Sequence, residues 1–148
     1  VDRTPHGATV RGGLERMTML KTARSAFTDF KRDEFTTLQP TDDRILGTHL
    51  SATWSFNDAS DPAAARGAVE TALLDAFDRH ESASVQHTMH AMGAAALDAT
   101  PAIDEIHLEM PNVHCLLVDL APFGIANDNT IFLPIDEPHG NLALTMRR

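Results

Sequence analysis

One long alternating run, at residues 46–56, constrains the fold of this chain more than any other feature of its sequence. The apolar members Leu46, Leu50, Ala52, Trp54 and Phe56 alternate with small or polar residues. Successive side chains of a strand point to opposite faces, so this period of two predicts a strand with one packed face and one wet or functional face. Because a lone strand cannot bury its apolar face, the chain must build a sheet around it.

Two amphipathic helices are predicted directly after this strand. Asp61 is suited to cap the first helix and Pro62 to occupy its first turn, and this helix should run to about residue 80. Its apolar stripe at helical spacing comprises Ala65, Val69, Leu73, Leu74 and Phe77. The second helix should begin near Ser84 and end at Thr100-Pro101. Its inner face should comprise Val85, Met89, Met92, Ala96 and Leu97.

Strands are predicted on both sides of the helical pair, which gives the order of an α+β domain. These further strands are expected at residues 14–22, 35–38, 103–110, 115–118, 130–134 and 141–146. The wholly apolar run from Cys115 to Val118 should be buried on both faces. Residues 1–13 are predicted to form an arm or the end of a preceding strand, and residues 14–148 a single domain.

The bulk composition argues against several functional classes. The 148 residues, 43% of them hydrophobic, suffice for one domain with a core. A formal net charge of −9 without a basic stripe argues against nucleic-acid binding, although one well-placed arginine can still bind an anionic substrate. The single cysteine suits a reducing cytoplasm. No membrane span or signal peptide is evident, and the start at Val1 predicts a processed, cut or partial gene product.

A polar break between two apolar strands carries the first candidate site residues. Pro111 cannot donate a ladder hydrogen bond, so the strand before it should end or bulge there. Asn112 and His114 follow, and an extended backbone would direct both side chains to the same side. An amide and an imidazole together can donate, accept and transfer protons. The simpler alternative is a loop asparagine bonded to its own backbone and a half-exposed histidine at a strand end.

Three further residues could bind a flat ligand, and each also has a simpler structural explanation. Phe27 offers an apolar face for ring stacking, or it fills a gap in the core. Arg44, just before the long strand, could grip adjacent acceptors with its planar fork, or it forms a surface ion pair with Asp42 or Asp43. Gln86 lies in the first turn of the second helix, where free backbone N–H groups can receive a carbonyl or an anion, or it is simply exposed.

The residue spacing gives little support for a metal site or a covalent nucleophile. Among the eight histidines, His87 and His90 are three apart, and no Cys pair or His-x-x-x-His pair completes a zinc site. No phosphate-binding loop and no Gly-x-Ser-x-Gly motif occurs. Cys115 lies in an apolar run, where a thiol is inert. The sequence therefore predicts no metal.

Taken together, motifs from most of the chain resemble the uricase (urate oxidase) family. They follow the family's order at 21–22 (KT), 25–30 (SAFTDF), 35–38 (FTTL), 43–46 (DRIL), 52–54 (ATW), 85–89 (VQHTM), 92–93 (MG), 103–106 (IDEI), 108–114 (LEMPNVH), 117–120 (LVDL), 122–124 (PFG), 136–138 (DEP), 140 (G) and 143–148 (ALTMRR). The resemblance covers about residues 14–148 and is highly specific to the family.

The resemblance implies a tunnelling fold (T-fold), an antiparallel four-stranded sheet backed by two helices in the order strand-strand-helix-helix-strand-strand. A urate oxidase subunit contains two such units, and this chain resembles the second. A homotetramer with active sites at subunit interfaces is also implied. The ending Met146-Arg147-Arg148 lacks the peroxisomal Ser-Lys-Leu signal, which suits a bacterial cytoplasmic enzyme.

Residue roles follow from the resemblance where the motifs match. The implied substrate-binding residues are Phe27, Arg44, Val85, Gln86 and Asn112, and the implied catalytic residues are Asn112 and His114. Phe27 would stack on the purine plane, while Arg44 and Gln86 would bind opposite edges of urate. The backbone of Val85 would add a contact, and Asn112 would border the position of dioxygen or water.

The implied reaction oxidises urate with dioxygen and water to 5-hydroxyisourate and hydrogen peroxide, without cofactor or metal. His114 would belong to a proton relay, which in the family also uses a Lys and a Thr from the first half of the subunit; Lys21 does not replace that Lys. Asp29 stands where the family usually has Gly, and Val113 and Cys115 replace residues that are usually polar or basic. The alternatives are a non-catalytic purine- or pterin-binding module, or an inactive fragment that lacks the N-terminal half.

Overall fold

The computed structural model describes residues 2–4, 7–57 and 61–148, which form one main sheet, two helices and two small two-stranded sheets. The strands are β1 (Asp2–Thr4), β2 (Gly7–Thr9), β3 (Arg11–Lys21), β4 (Leu46–Phe56), β5 (Ile103–Glu109), β6 (Asn112–Val113), β7 (Cys115–Leu117), β8 (Phe132–Pro134) and β9 (Ala143–Arg147). The helices are α1 (Pro62–Arg79) and α2 (Val85–Ala99), and a 3-10 turn covers Ala121–Phe123. Part of the predicted entry into α1, residues 58–60, lies outside the described residues.

The main sheet contains four long antiparallel strands in the order β3-β4-β5-β9, and the short β6 also pairs with β4. Two of these long strands precede the helices in the chain and two follow them. The predicted order of strand-strand-helix-helix-strand-strand is therefore confirmed. The long alternating run forms β4, whose apolar side chains Leu50, Ala52 and Trp54 are at most 1% exposed.

Both helices bury their predicted stripes against one face of this sheet. The carboxylate of Asp61 accepts from the N–H of Ala63 (3.0 Å), as predicted for this cap. The hydroxyl of Ser84 accepts from the N–H of His87 (3.1 Å) and caps the second helix at its predicted start. The buried helix residues include Ala65, Val69, Leu73, Phe77, Val85, Met89, Met92, Ala96 and Leu97. Leu74 was wrongly placed in the stripe; it is 42% exposed because it lies on the outer side of α1. Neither helix of the described chain combines the length and hydrophobicity of a transmembrane helix.

Two predicted strands before the helices differ from the structure. β3 begins at Arg11, where it pairs with Ser55, so it crosses the boundary drawn at residue 13, and that division of the chain stays a prediction. Residues 35–38 form no strand. There the carboxylate of Asp33 accepts from the N–H of Phe35 (3.0 Å) and from the hydroxyl of Thr36 (2.8 Å), which closes a local turn instead.

The apolar run after His114 is exposed, so the prediction that it is buried on both faces was wrong. β7 pairs with β8 in a two-stranded sheet that is separate from the main one. Leu116 and Leu117 are 50% and 47% exposed, because no layer of the described chain covers them. An apolar run alone therefore did not identify a core strand.

Candidate functional site

Phe27 lies in the connection between β3 and β4, within residues 24–28, which we call the linking strip. Its N–H donates to the carbonyl of Thr41 (2.7 Å), and its own carbonyl accepts from the N–H of Thr41 (3.1 Å). The Phe27 ring stacks on Phe30 with a centroid distance of 4.6 Å and an interplanar angle of 14°. Asp29 lies between these two residues in the sequence and has a φ of 57°. Asp tolerates this left-handed conformation better than most residues, and Gly adopts it without strain. The Phe27 ring is thus held at a defined position.

Arg44 brings three of the predicted site residues together. Its Nε donates to the carbonyl of Ala26 (3.0 Å), and its Nη1 donates to Oδ1 of Asn112 (3.4 Å). Its guanidinium carbon lies 5.5 Å from the centroid of the Phe27 ring. Because Asn112 belongs to β6, which pairs with the start of β4, the arginine and the amide are both fixed by the sheet.

The charge of Arg44 has no carboxylate partner among the described residues, and the proposed surface pair with Asp42 or Asp43 does not form. The carboxylate of Asp43 instead accepts from the side chain of Asn129 (2.6 Å). The Nη2 of Arg44 is buried and has no hydrogen-bond partner within the described chain. Burial lowers the pKa of Arg44, but a guanidinium remains protonated at neutral pH. The result is a half-buried cation, with one unpaired nitrogen in the described chain, beside an aromatic ring.

Gln86 lines a neighbouring hollow of about 350 Å³, together with Met89 and residues 141–144. Gly140, the residue just before this lining segment, accepts from the N–H of Asn112 (2.8 Å). The hollow and Asn112 are therefore joined by a single stretch of backbone. No contact found among the described residues links the exposed Gln86 side chain to the other candidate residues.

Val85 is the first residue of α2, and its side chain is only 2% exposed. The helix cannot bond the N–H groups of its own first turn, so the Val85 N–H is available for an external acceptor. The turn before α2 pairs with the linking strip: Ala26 donates to the carbonyl of Ser82 (2.7 Å), and Thr28 donates to that of Ala83 (3.0 Å). The start of α2 is thereby fixed beside Phe27.

His114 lies half-buried between β6 and β7, and its carbonyl accepts from the N–H of Ile135 (3.0 Å). Its imidazole has no hydrogen-bond partner among the described residues. The structure thus brings Phe27, Arg44 and Asn112 together, with the start of α2 beside them, and it establishes no contact for the side chains of Gln86 or His114. The functional roles of all these residues stay predictions.

Lys21 is a buried residue next to the site that we did not predict from the sequence. It is 6% exposed, and its Nζ donates to the carbonyls of Phe77 (3.0 Å) and Asp78 (2.7 Å) at the end of α1. The alternation along β3 offered a signal, since Lys21 lies on the same face as Met17 and Met19. A cation at the end of a core-facing pattern indicates a buried acceptor.

Two histidines lie close together before and within the start of α2. The rings of His80 and His87 are 4.3 Å apart at 71°. Burial, followed by the nearby His87 and Lys21, lowers the pKa of His80, while Glu81 opposes the shift. In the described part of the chain, no group of three or more His, Cys, Asp and Glu side chains is placed to hold a metal ion.

Comparison with known proteins gives consistent matches to uricases. The uricase family model matches residues 10–143. The uricase of Arthrobacter globiformis is 44% identical over 137 residues, covering 92% of this chain and 45% of that protein. The uricase of Danio rerio is 37% identical over 145 residues, covering 94% of this chain and 49% of that protein.

Solved structures of uricases also match this chain. The crystal structure of uricase from Arthrobacter globiformis matches with a TM-score of 0.90 at 43% identity and covers 95% of this chain and 49% of that chain. The uricase from Bacillus fastidious, at 22% identity, shares the fold with a TM-score of 0.79. The predicted T-fold is confirmed, and the chain spans about half the length of the relatives it matches. Since the family model covers most of its residues, the chain belongs to the uricase family.

Proposed function

We propose that this chain is the C-terminal half of a cofactor-free urate oxidase and that it acts together with an N-terminal half, on the same or a separate chain. The observation that carries the proposal is the half-buried Arg44 guanidinium, which lies 5.5 Å from the Phe27 ring centroid and has no carboxylate partner within the described chain. A flat anion with acceptor atoms along one edge would bind this guanidinium and stack on that ring.

Urate fits these requirements, and the neighbouring residues provide further contacts. Phe27 would stack on the purine plane, while Arg44 and Gln86 would bind its opposite edges. The N–H of Val85, which the helix leaves unbonded, would add a hydrogen bond. The backbone stretch that joins the Gln86 hollow to Asn112 supports a single ligand that spans both.

The proposed reaction transfers two electrons from urate to dioxygen, and water adds to the oxidised ring. The products are 5-hydroxyisourate and hydrogen peroxide, which balances atoms and electrons. An electron-rich urate anion supplies the electrons itself, so the protein need only orient it, set its protonation and hold dioxygen close. Asn112 would border dioxygen or water, because its Oδ1 accepts from Arg44 and its NH2 group has no partner in the described part of the chain.

His114 would relay protons between the ring and solvent. Its half-buried imidazole, two residues from Asn112 and without a hydrogen-bond partner in the described chain, supports this role. The Lys and Thr of the family relay would come from the N-terminal half. We therefore propose a homotetramer with active sites at subunit interfaces, acting in purine degradation in a bacterial cytoplasm.

The test compares the chain alone with the chain combined with an N-terminal uricase half. Mass spectrometry of the purified sample first identifies every polypeptide present. We expect loss of urate absorbance and production of peroxide only when both halves are present. Urate binding without turnover by the complete assembly would favour the non-catalytic purine- or pterin-binding module, and absence of urate binding would overturn the proposal.

A further inference from the structure

The linking strip depends on a buried cation that does not itself touch the candidate ligand site. Lys21 is 6% exposed, and its ammonium donates to the last carbonyls of α1, those of Phe77 and Asp78. A helix leaves these carbonyls unbonded, and its negative end attracts a cation. Arg24 reinforces the contact by donating to the carbonyl of Asp78 (2.7 Å). The end of β3 is thereby clamped to the end of α1.

The contact continues from the end of α1 into the linking strip. The N–H of Ser82 donates to the carbonyl of Arg24 (3.0 Å), and the N–H of Ala26 donates to the carbonyl of Ser82 (2.7 Å). In the buried interior, the hydroxyl of Thr88 donates to the hydroxyl of Ser82 (2.8 Å). The same turn therefore fixes both the linking strip and the first turns of α2.

The linking strip in turn orients the aromatic ring and the guanidinium. The backbone N–H of Arg44 donates to the carbonyl of Ser25 (2.9 Å), and its Nε donates to the carbonyl of Ala26. Phe27 is the next residue of the strip. A shift of the strip would move the ring and the guanidinium together relative to Val85 and Gln86.

We propose that Lys21 is a positioning residue for the pair formed by Phe27 and Arg44, which it holds in register with the start of α2. The consequence for ligand binding rests on the proposed function. Lys21 contacts neither candidate side chain and acts only through the ends of β3 and α1. Burial, followed by the charge of Arg24, lowers the pKa of Lys21, although Asp78 and Glu81 oppose this shift, as expected for an ammonium held away from water.

The chain offers a matched pair of variants, because it contains two lysines and Lys31 is exposed. Lys21→Met keeps most of the side-chain length but removes the donors, and Lys31→Met controls for the substitution itself. Amide hydrogen exchange is measured on both variants and on the wild-type protein. In Lys21→Met, the N–H groups of Ala26 and Thr28 should exchange at least about tenfold faster, while those of β4 and β5 keep their wild-type rates. Unchanged exchange at Ala26 and Thr28 overturns the proposal.

A second measurement separates positioning from simple structural support. In the complete enzyme, Lys21→Met should raise the KM for urate by about tenfold or more with a smaller change in kcat, because misplaced binding groups weaken ligand binding. Faster amide exchange with an unchanged KM overturns the positioning role. If wild-type enzyme binds no urate, the proposed function fails, and the exchange result alone decides whether Lys21 holds the strip.

Arg24→Gln keeps the test decisive if Lys21→Met does not fold. Arg24 donates to the same end of α1 as Lys21 does. Because Arg24 is exposed, its replacement should leave the fold intact. We expect the same two effects at smaller size, with faster exchange at Ala26 and Thr28 and a raised KM. Wild-type values for both would overturn the proposal.

Discussion

At the scale of single residues, the free end of Arg44 is costly to the folded chain unless a ligand binds it. A buried donor without a partner costs about 1–3 kcal/mol, and more when it is charged. Within the described residues, Nε and Nη1 of Arg44 are bonded while Nη2 is not. A ligand whose acceptor atoms approach the guanidinium would offset this cost, so the affinity for the ligand should depend strongly on Arg44.

Replacing Arg44 by Ala in the complete assembly should weaken urate binding by at least about tenfold, since a hydrogen bond to a charged group contributes roughly 1.5–3 kcal/mol. A urate titration measures the effect. Arg79→Ala is the matched control, because the Arg79 side chain is 74% exposed and forms a surface ion pair with Asp75. An unchanged affinity in Arg44→Ala would contradict the assignment.

Protonation of His80 should destabilise the fold in mildly acidic solution. Its pKa is lowered from the usual 6.5, first by burial and then by His87 and Lys21, against Glu81. Below about pH 6.5 the unfolded chain binds a proton that the folded chain resists, so the free energy of unfolding falls as the pH falls. Urea denaturation between about pH 7.5 and 5 should show a smaller loss in His80→Gln than in wild type. His90→Gln, at an exposed position of α2, should show the wild-type dependence of the free energy of unfolding on pH. The same dependence in His80→Gln as in wild type would refute the role of His80.

The sequence could identify Arg44 as a candidate but could not decide its role. Its position two residues before β4 predicted a well-held backbone, and its N–H does donate to the carbonyl of Ser25 (2.9 Å). Arg44 does not pair with Asp43, because the carboxylate of Asp43 accepts instead from Asn129, which lies 86 residues after Asp43 in the chain. Such a partner produces no local pattern, so the choice between an ion pair and a free guanidinium was open.

At the scale of elements, the helix caps offer two variants with different expected effects. Removing either cap by Asp61→Ala or Ser84→Ala should lower the free energy of unfolding by about 1 kcal/mol. Only Ser84 lies next to Val85 and Gln86, so Ser84→Ala should also weaken urate binding in the complete enzyme. Chemical denaturation and urate titration of both variants test this. Equal urate affinities would contradict the placement of the ligand at the start of α2.

The two helical glycines provide a second comparison. A Cβ added at Gly67 in α1 would meet nothing within 4 Å, whereas one at Gly93 in α2 would lie 2.6 Å from Sδ of Met146. Gly67→Ala should therefore stabilise the chain by about 0.5–1 kcal/mol through helix propensity. Gly93→Ala must displace Met146 of β9 and should be less stable than Gly67→Ala by about 1 kcal/mol or more. Urea denaturation measures the stability of both variants. Equal stabilities would disprove this packing of Gly93 against Met146.

Elements with strong local signals were predicted closely, and those that depend on distant partners were not. The alternation of β4, the cap of α1 and the start of α2 are set by neighbouring residues, so the sequence alone located them. The apolar run of β7 had the composition of a buried strand, but burial depends on a covering layer that the described chain does not supply. The strand predicted at residues 35–38 is absent for a local reason. The side chain of Asp33 closes a turn there, and this turn outweighs the strand propensity of the four residues.

At the scale of the whole molecule, the proposed interface sites predict a dependence of activity on concentration. The chain covers about half the length of its relatives, and in the proposed function the Lys and Thr of the relay come from the N-terminal half. We expect the specific activity of the complete enzyme to fall on dilution, in parallel with the loss of the tetramer measured by light scattering. A dissociated subunit with full specific activity would contradict sites at subunit interfaces.

Periodicity and capping predicted the class and order of the domain, whereas the family and the site followed from motifs in their order along the chain. Neither approach predicted the hydrogen bonds that Lys21 makes to the end of α1. The partners of Lys21, Phe77 and Asp78, act through backbone carbonyls, for which residue identity carries little information. The same is true of the turn that pairs with the linking strip.

The hydrogen bond between Arg44 and Asn112 joins residues 68 positions apart, with β4, both helices and β5 between them. Local helices form far faster than contacts that close a long loop. The helices α1 and α2 can therefore form before this long loop closes. A nascent chain would acquire its helices early and its guanidinium–amide pair late, so ligand cannot assist folding until most of the domain has been translated.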